Sequence, residues 1–138
     1  MRLGSNSKID LIRGVPLFAS ASKQELGEIA SIADEIDLPE GKVLIKEGDT
    51  GREFFVLIEG TAEVARGGKK VASIGPGDFF GEIALISRTP RNATITTTSP
   101  VRALVITDRA FRQLLDHSPQ IQIGVLSALA ERLAPTTL

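Results

Sequence analysis

The stretch Phe80-Gly81-Glu82-Ile83-Ala84-Leu85, followed shortly by Pro90-Arg91-Asn92-Ala93-Thr94, brings together residue types that suit one kind of small molecule. Gly81 has no Cβ, so its backbone can approach a ligand closely. Ile83 and Ala84 would open a helical turn, whose unpaired N–H groups and positive dipole end attract an anion. Arg91 presents a planar fork of donors suited to a phosphate, and Glu82 accepts hydrogen bonds from hydroxyls. An anion and a diol held side by side describe a ribose phosphate.

These residues need a scaffold, and the chain supplies signals for one. Ile9, Leu11, Ile12 and Val15 suggest a short helix closed by Gly14 and Pro16. Ser22 with Glu25 three residues later forms a capping box ahead of the apolar stripe Leu26, Ile29, Ala30 and Ala33. From Asp34 to Asp108 the texture changes to short runs punctuated by Gly, Pro and Asp. Strands are predicted at Val43 to Ile45, Phe54 to Ile58, Ala62 to Ala65, Val71 to Ile74, Ala93 to Thr97 and Ala103 to Ile106. Gly67-Gly68 marks a hairpin between two of them. Strands at this spacing read as a sandwich or barrel. Glu82 to Ile86 is the one helical interruption, odd for packing alone and sensible as a ligand cradle. Asp108 then caps a helix through Phe111, Leu114 and Leu115, and Ser118-Pro119 restarts another that runs to about Ala134. That last helix carries Ile121, Val125, Leu129 and Leu133 along one stripe, with Leu126 beside it.

The Phe80–Thr94 segment resembles the phosphate-binding cassette of the cyclic nucleotide-binding domain family. Catabolite activator-type regulators, protein kinase A regulatory subunits and cyclic nucleotide-gated channels share that cassette. A glycine framework resembling the family's accompanies it: Pro39-Glu40-Gly41, Glu47-Gly48-Asp49, Phe55-Val56-Leu57-Ile58-Glu59-Gly60 and Gly75-Pro76-Gly77-Asp78. The likeness runs from about Leu17 to about Leu115 in matching order. It implies an α+β fold, mainly β: an antiparallel β-roll or jelly-roll-like barrel with short N-terminal helices, a cassette helix and C-terminal helices. One domain over 1–138 is expected, with N-terminal helices in 1–33, the barrel in 34–107 (cassette 80–94) and C-terminal helices in 108–134.

The resemblance also assigns roles. Arg91 would neutralise a cyclic phosphate, although an isolated arginine more often pairs with a nearby acid at the surface. Glu82 would accept the ribose 2′-hydroxyl, although a first-turn glutamate also stabilises a helix dipole. The amides of Gly81, Ala84 and Asn92 become ligand contacts, with Ile83 and Ala93 in the same binding set. Val64 and Val71 become the apolar wall for the purine, or equally plain barrel core. Asn92 follows the arginine where relatives carry Ala, Ser or Thr. It brings both donor and acceptor, which leaves cAMP as the favoured ligand and cGMP as the alternative. Some relatives cap the base with Trp or Tyr; this chain has neither. The aliphatic stripe of the last helix or Arg132 would have to do so, unless Arg132 only complements the helix dipole.

Bulk properties set limits. The chain has 138 residues, enough for one independently folding domain. Sixteen basic and seventeen acidic residues leave a charge of −1, so no bulk field attracts nucleic acid or an anionic membrane. There is no cysteine, and His117 is the only histidine. Neither a converging metal-ligand set nor a nucleophile–histidine pair can be assembled from this inventory. The polar N-terminus lacks a signal peptide's apolar core, and no apolar run is long enough to span a bilayer. The expectation is a cytoplasmic, non-enzymatic sensor of a cyclic nucleotide, coupling binding to movement of the last helix, with no cofactor and no metal. Partners would be the nucleotide and an effector outside this chain; no room for a helix-turn-helix follows Pro135. The rivals are a degenerate fold of the same kind serving as a protein-interaction scaffold, and a barrel enzyme such as a metal-dependent dioxygenase or isomerase, which the missing ligands disfavour.

Overall fold

A computed structural model of the chain describes residues 3–133, the side chains of Ser5 and of residues 131–133 excepted. These residues form two compact units, one of helices (residues up to Ala33 and from Ala110) and one of strands (Asp34–Arg109).

In the helical unit, α1 (Ser5–Arg13) is followed by a 3₁₀ turn (Pro16–Phe18) and α2 (Lys23–Ser31). The predicted capping box is present: Glu25 N donates to Ser22 Oγ at 3.2 Å, and Ser22 N to Glu25 Oε1 at 2.7 Å. Lys8 Nζ donates to the Ala33 carbonyl at 2.8 Å, just past the end of α2, where orphan carbonyls need donors. Ile12, Val15, Leu17, Phe18, Leu26 and Ile29 are buried, and the Phe18 and Phe111 rings meet at 5.8 Å in a tilted pair. Helix α3 (Asp108–His117) begins at Asp108, where the cap was expected, and α4 (Pro119–Leu133) begins at the predicted proline. Between them Ser118 Oγ accepts a weak bond from Ile121 N at 3.4 Å. Along α4, Ile121 and Val125 are buried and Leu129 is half-buried, while Ile123 and Leu126 are exposed. The predicted end of this helix at Ala134–Pro135 lies outside the described residues.

The strand unit contains β1 (Asp34–Leu38), β2 (Val43–Ile45), β3 (Glu53–Glu59), β4 (Ala62–Arg66), β5 (Lys69–Ile74), β6 (Phe79–Phe80), β7 (Thr94–Thr97) and β8 (Val101–Thr107). Among the described residues they make two antiparallel four-stranded sheets, ordered β1-β8-β3-β6 and β2-β7-β4-β5. With the flanking helices this is the α+β roll expected from the sequence. Gly67 and Gly68, with φ of 56° and 79°, form the turn between β4 and β5 that a two-residue hairpin requires. Ile45, Phe55, Leu57, Ala62, Ile74, Phe80, Ile95, Val101 and Ala103 form the core cluster.

Two strands escaped the pattern reading. Strand β1 is rich in acid because it pairs only with β8. There Arg102 Nε sits 2.9 Å from Asp37 Oδ1 and 3.7 Å from Glu35 Oε1. Strand β6 is two residues long, too short to show any alternation, yet it delivers the cassette. It pairs with β3 at Phe55↔Phe80 and Val56↔Phe79. The Phe55 and Phe80 rings stack at 5.2 Å, which fixes the backbone immediately before Gly81.

Candidate functional site

The strand unit encloses a cavity of about 470 Å³, within the range of pockets that bury small ligands. Its floor and walls come from the cassette (Phe79–Ala84 and Thr89–Ala93) and from the sheet residues Ile45, Val64, Arg66, Ile74 and Ile95.

Gly81 leads into a 3₁₀ turn, Glu82–Leu85, and adopts φ 82°. That is the left-handed region, which a side-chain-bearing residue enters only with strain. The helical turn expected from the sequence is thus a tight 3₁₀ one, and this decides which amides are available. Ala84 N already donates to the Gly81 carbonyl at 3.1 Å. The amides of Glu82 and Ile83 precede the first bond of the turn and are its orphan donors. Ala84 and Leu85 are buried beneath it, while Glu82 is half-buried at the cavity wall.

Arg91 is held from both ends. Its backbone is clamped to the loop before β3: Arg91 N donates to Asp49 O at 2.7 Å, and Gly48 N to Arg91 O at 2.8 Å. An isolated bridge joins Thr50 to Pro90. Its side chain is 9% exposed; Nη2 donates to the Glu53 carbonyl at 2.7 Å and sits 3.8 Å from Glu53 Oε1. Burial pushes the guanidinium below its ordinary value, and the Glu53 carboxylate pushes it back up. An arginine remains protonated throughout the physiological range all the same. The result is a cation removed from water, bordering a cavity, with more donors than its one carbonyl partner uses.

Two glycines make that placement possible. A Cβ on Gly51 would lie 2.6 Å from Arg91 Cζ and Nε, and one on Gly81 would lie 2.7 Å from Nη1. The guanidinium is therefore sandwiched between two backbones. Gly51 went unnoticed in the sequence because nothing in its local pattern marks it. Its significance depends on a partner forty residues along the chain.

Most of the sequence-derived binding set converges here: Gly81, Glu82, Ile83, Ala84, Arg91, Asn92, Ala93 and Val64 all line the cavity. Val71 does not. It is 52% exposed: the register sets Ala72, not Val71, opposite Val64, and the shift to Ala65↔Lys70 leaves Val71 as the extra residue of a bulge. Ile74 and Ile95 supply the apolar wall that Val71 was expected to supply. The Arg132 side chain lies outside the described residues. Arg66, Ile45 and Thr89 line the cavity unanticipated. For Arg66 a signal existed, since it stands two residues beyond Val64 and so faces the same side of a strand.

Among the described residues, no group of three or more His, Cys, Asp or Glu could hold a metal ion. Nor is any helix among them long and apolar enough to cross a membrane.

Comparison with known proteins places this geometry. The cAMP-dependent protein kinase regulatory subunit of Mycosarcoma maydis is 35% identical over 132 residues, covering 89% of this chain and 24% of that protein. A cyclic nucleotide-gated potassium channel of Mesorhizobium japonicum is 36% identical over 111 residues, covering 80% of this chain and 31% of that protein. The chain thus spans a quarter to a third of these curated relatives. Among solved structures, the N-terminal domain of a transcriptional regulator from Streptomyces coelicolor superposes with a TM-score of 0.84 at 31% identity, covering 93% of this chain and 95% of that one. The regulatory domain of Toxoplasma gondii protein kinase A, crystallised with cAMP, gives 0.71 at 27% identity, covering 79% and 43%. The profile of the cyclic nucleotide-binding domain matches residues 35–118. That span includes every residue lining the cavity. The chain belongs to the cyclic nucleotide-binding domain family.

Proposed function

We propose that this chain is a sensor domain that binds a cyclic nucleotide, with cAMP as its principal ligand, and performs no chemistry on it. The observation that carries the reading is the Arg91 side chain, 9% exposed and bordering the cavity with guanidinium donors to spare. A buried cation costs energy unless an anion compensates it, and Glu53 Oε1 at 3.8 Å compensates only in part. A cyclic phosphate seated against Arg91 and the orphan amides of Glu82 and Ile83 would complete the site. Glu82 would then take the ribose hydroxyl, and the base would rest on Val64, Ile74 and Ile95. The relatives support cAMP in particular, since one is a cAMP-dependent kinase subunit and one solved neighbour holds cAMP.

On this reading residues 1–138 act as one ligand-responsive domain, with strands in 34–107 and helices on either side. Ligand shifts an equilibrium between two arrangements of α4 about His117-Ser118-Pro119, by as much as its affinity differs between them. The output passes to an effector beyond this chain.

The test is isothermal titration with cAMP and cGMP, for the native chain and for Arg91→Ala. A buried charge-assisted hydrogen bond contributes on the order of 1.5–3 kcal/mol. Arg91→Ala should therefore weaken binding by roughly tenfold to a few hundredfold. Absence of heat with either nucleotide, in protein freed of co-purified ligand, would turn the assignment to a scaffold.

A further inference from the structure

A second cation, the exposed Arg66 at the end of β4, also reaches this cavity. A cyclic phosphate diester carries one negative charge, and Arg91 meets it. Arg66 also lines the cavity. It closes β4, on the same face as Val64 and two residues further along, an advance of roughly 6.6 Å. Its backbone is fixed: the register pairs it with Lys69, and the next amide, Gly67 N, donates to Glu47 Oε1 at 3.0 Å. Its side chain has no hydrogen-bond or ion-pair partner among the described residues.

With the phosphate at Arg91 and the ribose at Glu82, the base lies against the aliphatic wall, and the edge nearest the end of β4 comes within reach of Arg66. A guanidinium carries five donors and no acceptor. Guanine offers two acceptors side by side, O6 and N7, whereas adenine offers N7 beside the N6 amino donor. A donor-only fork matches the first pattern and clashes with half of the second. We infer that Arg66 is a base-reading residue that opens this site to 6-oxopurine cyclic nucleotides. The inference rests on the cyclic-nucleotide reading above. It also separates the two polar groups near the base: Asn92 can meet the 2-amino group of guanine, while Arg66 reads O6 and N7.

Cyclic inosine monophosphate distinguishes them, because hypoxanthine keeps O6 and N7 and lacks the 2-amino group. The experiment is isothermal titration of the native chain, Arg66→Leu and Arg66→Lys with cAMP, cGMP and cyclic inosine monophosphate, with Arg91→Ala as the phosphate control. In Arg66→Leu, the affinities for cGMP and for the inosine nucleotide, each relative to cAMP, should fall roughly five- to a hundredfold. The lysine variant should keep part of the preference, because an ammonium still donates to O6 and N7 but lacks the planar fork. An equal loss for all three nucleotides would make Arg66 a stacking or phosphate group and overturn the inference. So would unchanged ratios in Arg66→Leu, provided its binding still depends on Arg91. A native chain that binds none of the three overturns the cyclic-nucleotide reading and this inference with it.

Discussion

At the level of single residues, the site is organised around one buried guanidinium and the two glycines that flank it. Gly51 is the cleaner probe of the pair, because its backbone is free of the positive φ that complicates Gly81. A methyl group at 51 would lie 2.6 Å from Arg91 Cζ, and overpacking of this kind typically costs about 1–3 kcal/mol. The arginine is the movable partner, so the cost should appear mainly as misplacement of the guanidinium. Gly51→Ala is expected to weaken cyclic nucleotide binding about tenfold or more by titration calorimetry. Gly75→Ala, whose Cβ would meet nothing within 4 Å, is the matched control and should bind like the native chain. Equal affinities in the two variants would show that Arg91 adapts without loss.

Among the elements, the strands hold the cassette and the loops hold the strands. Thr97 on β7 illustrates this: its buried hydroxyl donates to Pro39 O at 2.7 Å and accepts from Lys42 N at 2.8 Å. It thereby ties the turn between β1 and β2 to the sheet. Valine has nearly the same shape and would leave both backbone groups without that partner. Thr97→Val should destabilise the fold by about 1–3 kcal/mol, seen as a melting temperature lowered by several degrees. An unchanged melt would mean that water replaces the hydroxyl. The bulge at Lys70-Val71 belongs to the same scale. The register there sets Ala72 opposite Val64 and leaves Val71, which the family resemblance assigned to the cavity, as an exposed extra residue.

For the whole molecule, the family profile covers residues 35–118, which leaves out α4 and the N-terminal helices. Those helices belong to a compact unit separate from the strands. A sensor needs an element whose position depends on ligand, and the Ser118-Pro119 break makes α4 the candidate. At a cAMP concentration that just saturates the native chain, amide exchange across residues 119–133 should change, and the change should be much smaller in Arg91→Ala. Exchange that ignores ligand in a chain that binds it would leave binding intact and remove the proposed coupling.

Much was legible before any coordinates. The cassette, the glycine framework, the capping box, the Gly67-Gly68 hairpin and the Pro119 restart are local patterns, and local geometry dictates them. Six of the eight described strands follow from alternation and punctuation. What the tertiary structure decided was of another kind. It placed Arg91 between Gly51 and Gly81, brought Arg66 onto the cavity wall, engaged the Ala84 amide within its own turn and set Ala72 rather than Val71 opposite Val64. The physical reason is range. Periodicity records which face a residue turns toward its neighbours in sequence, but close approach and register are set by strands that meet from distant parts of the chain.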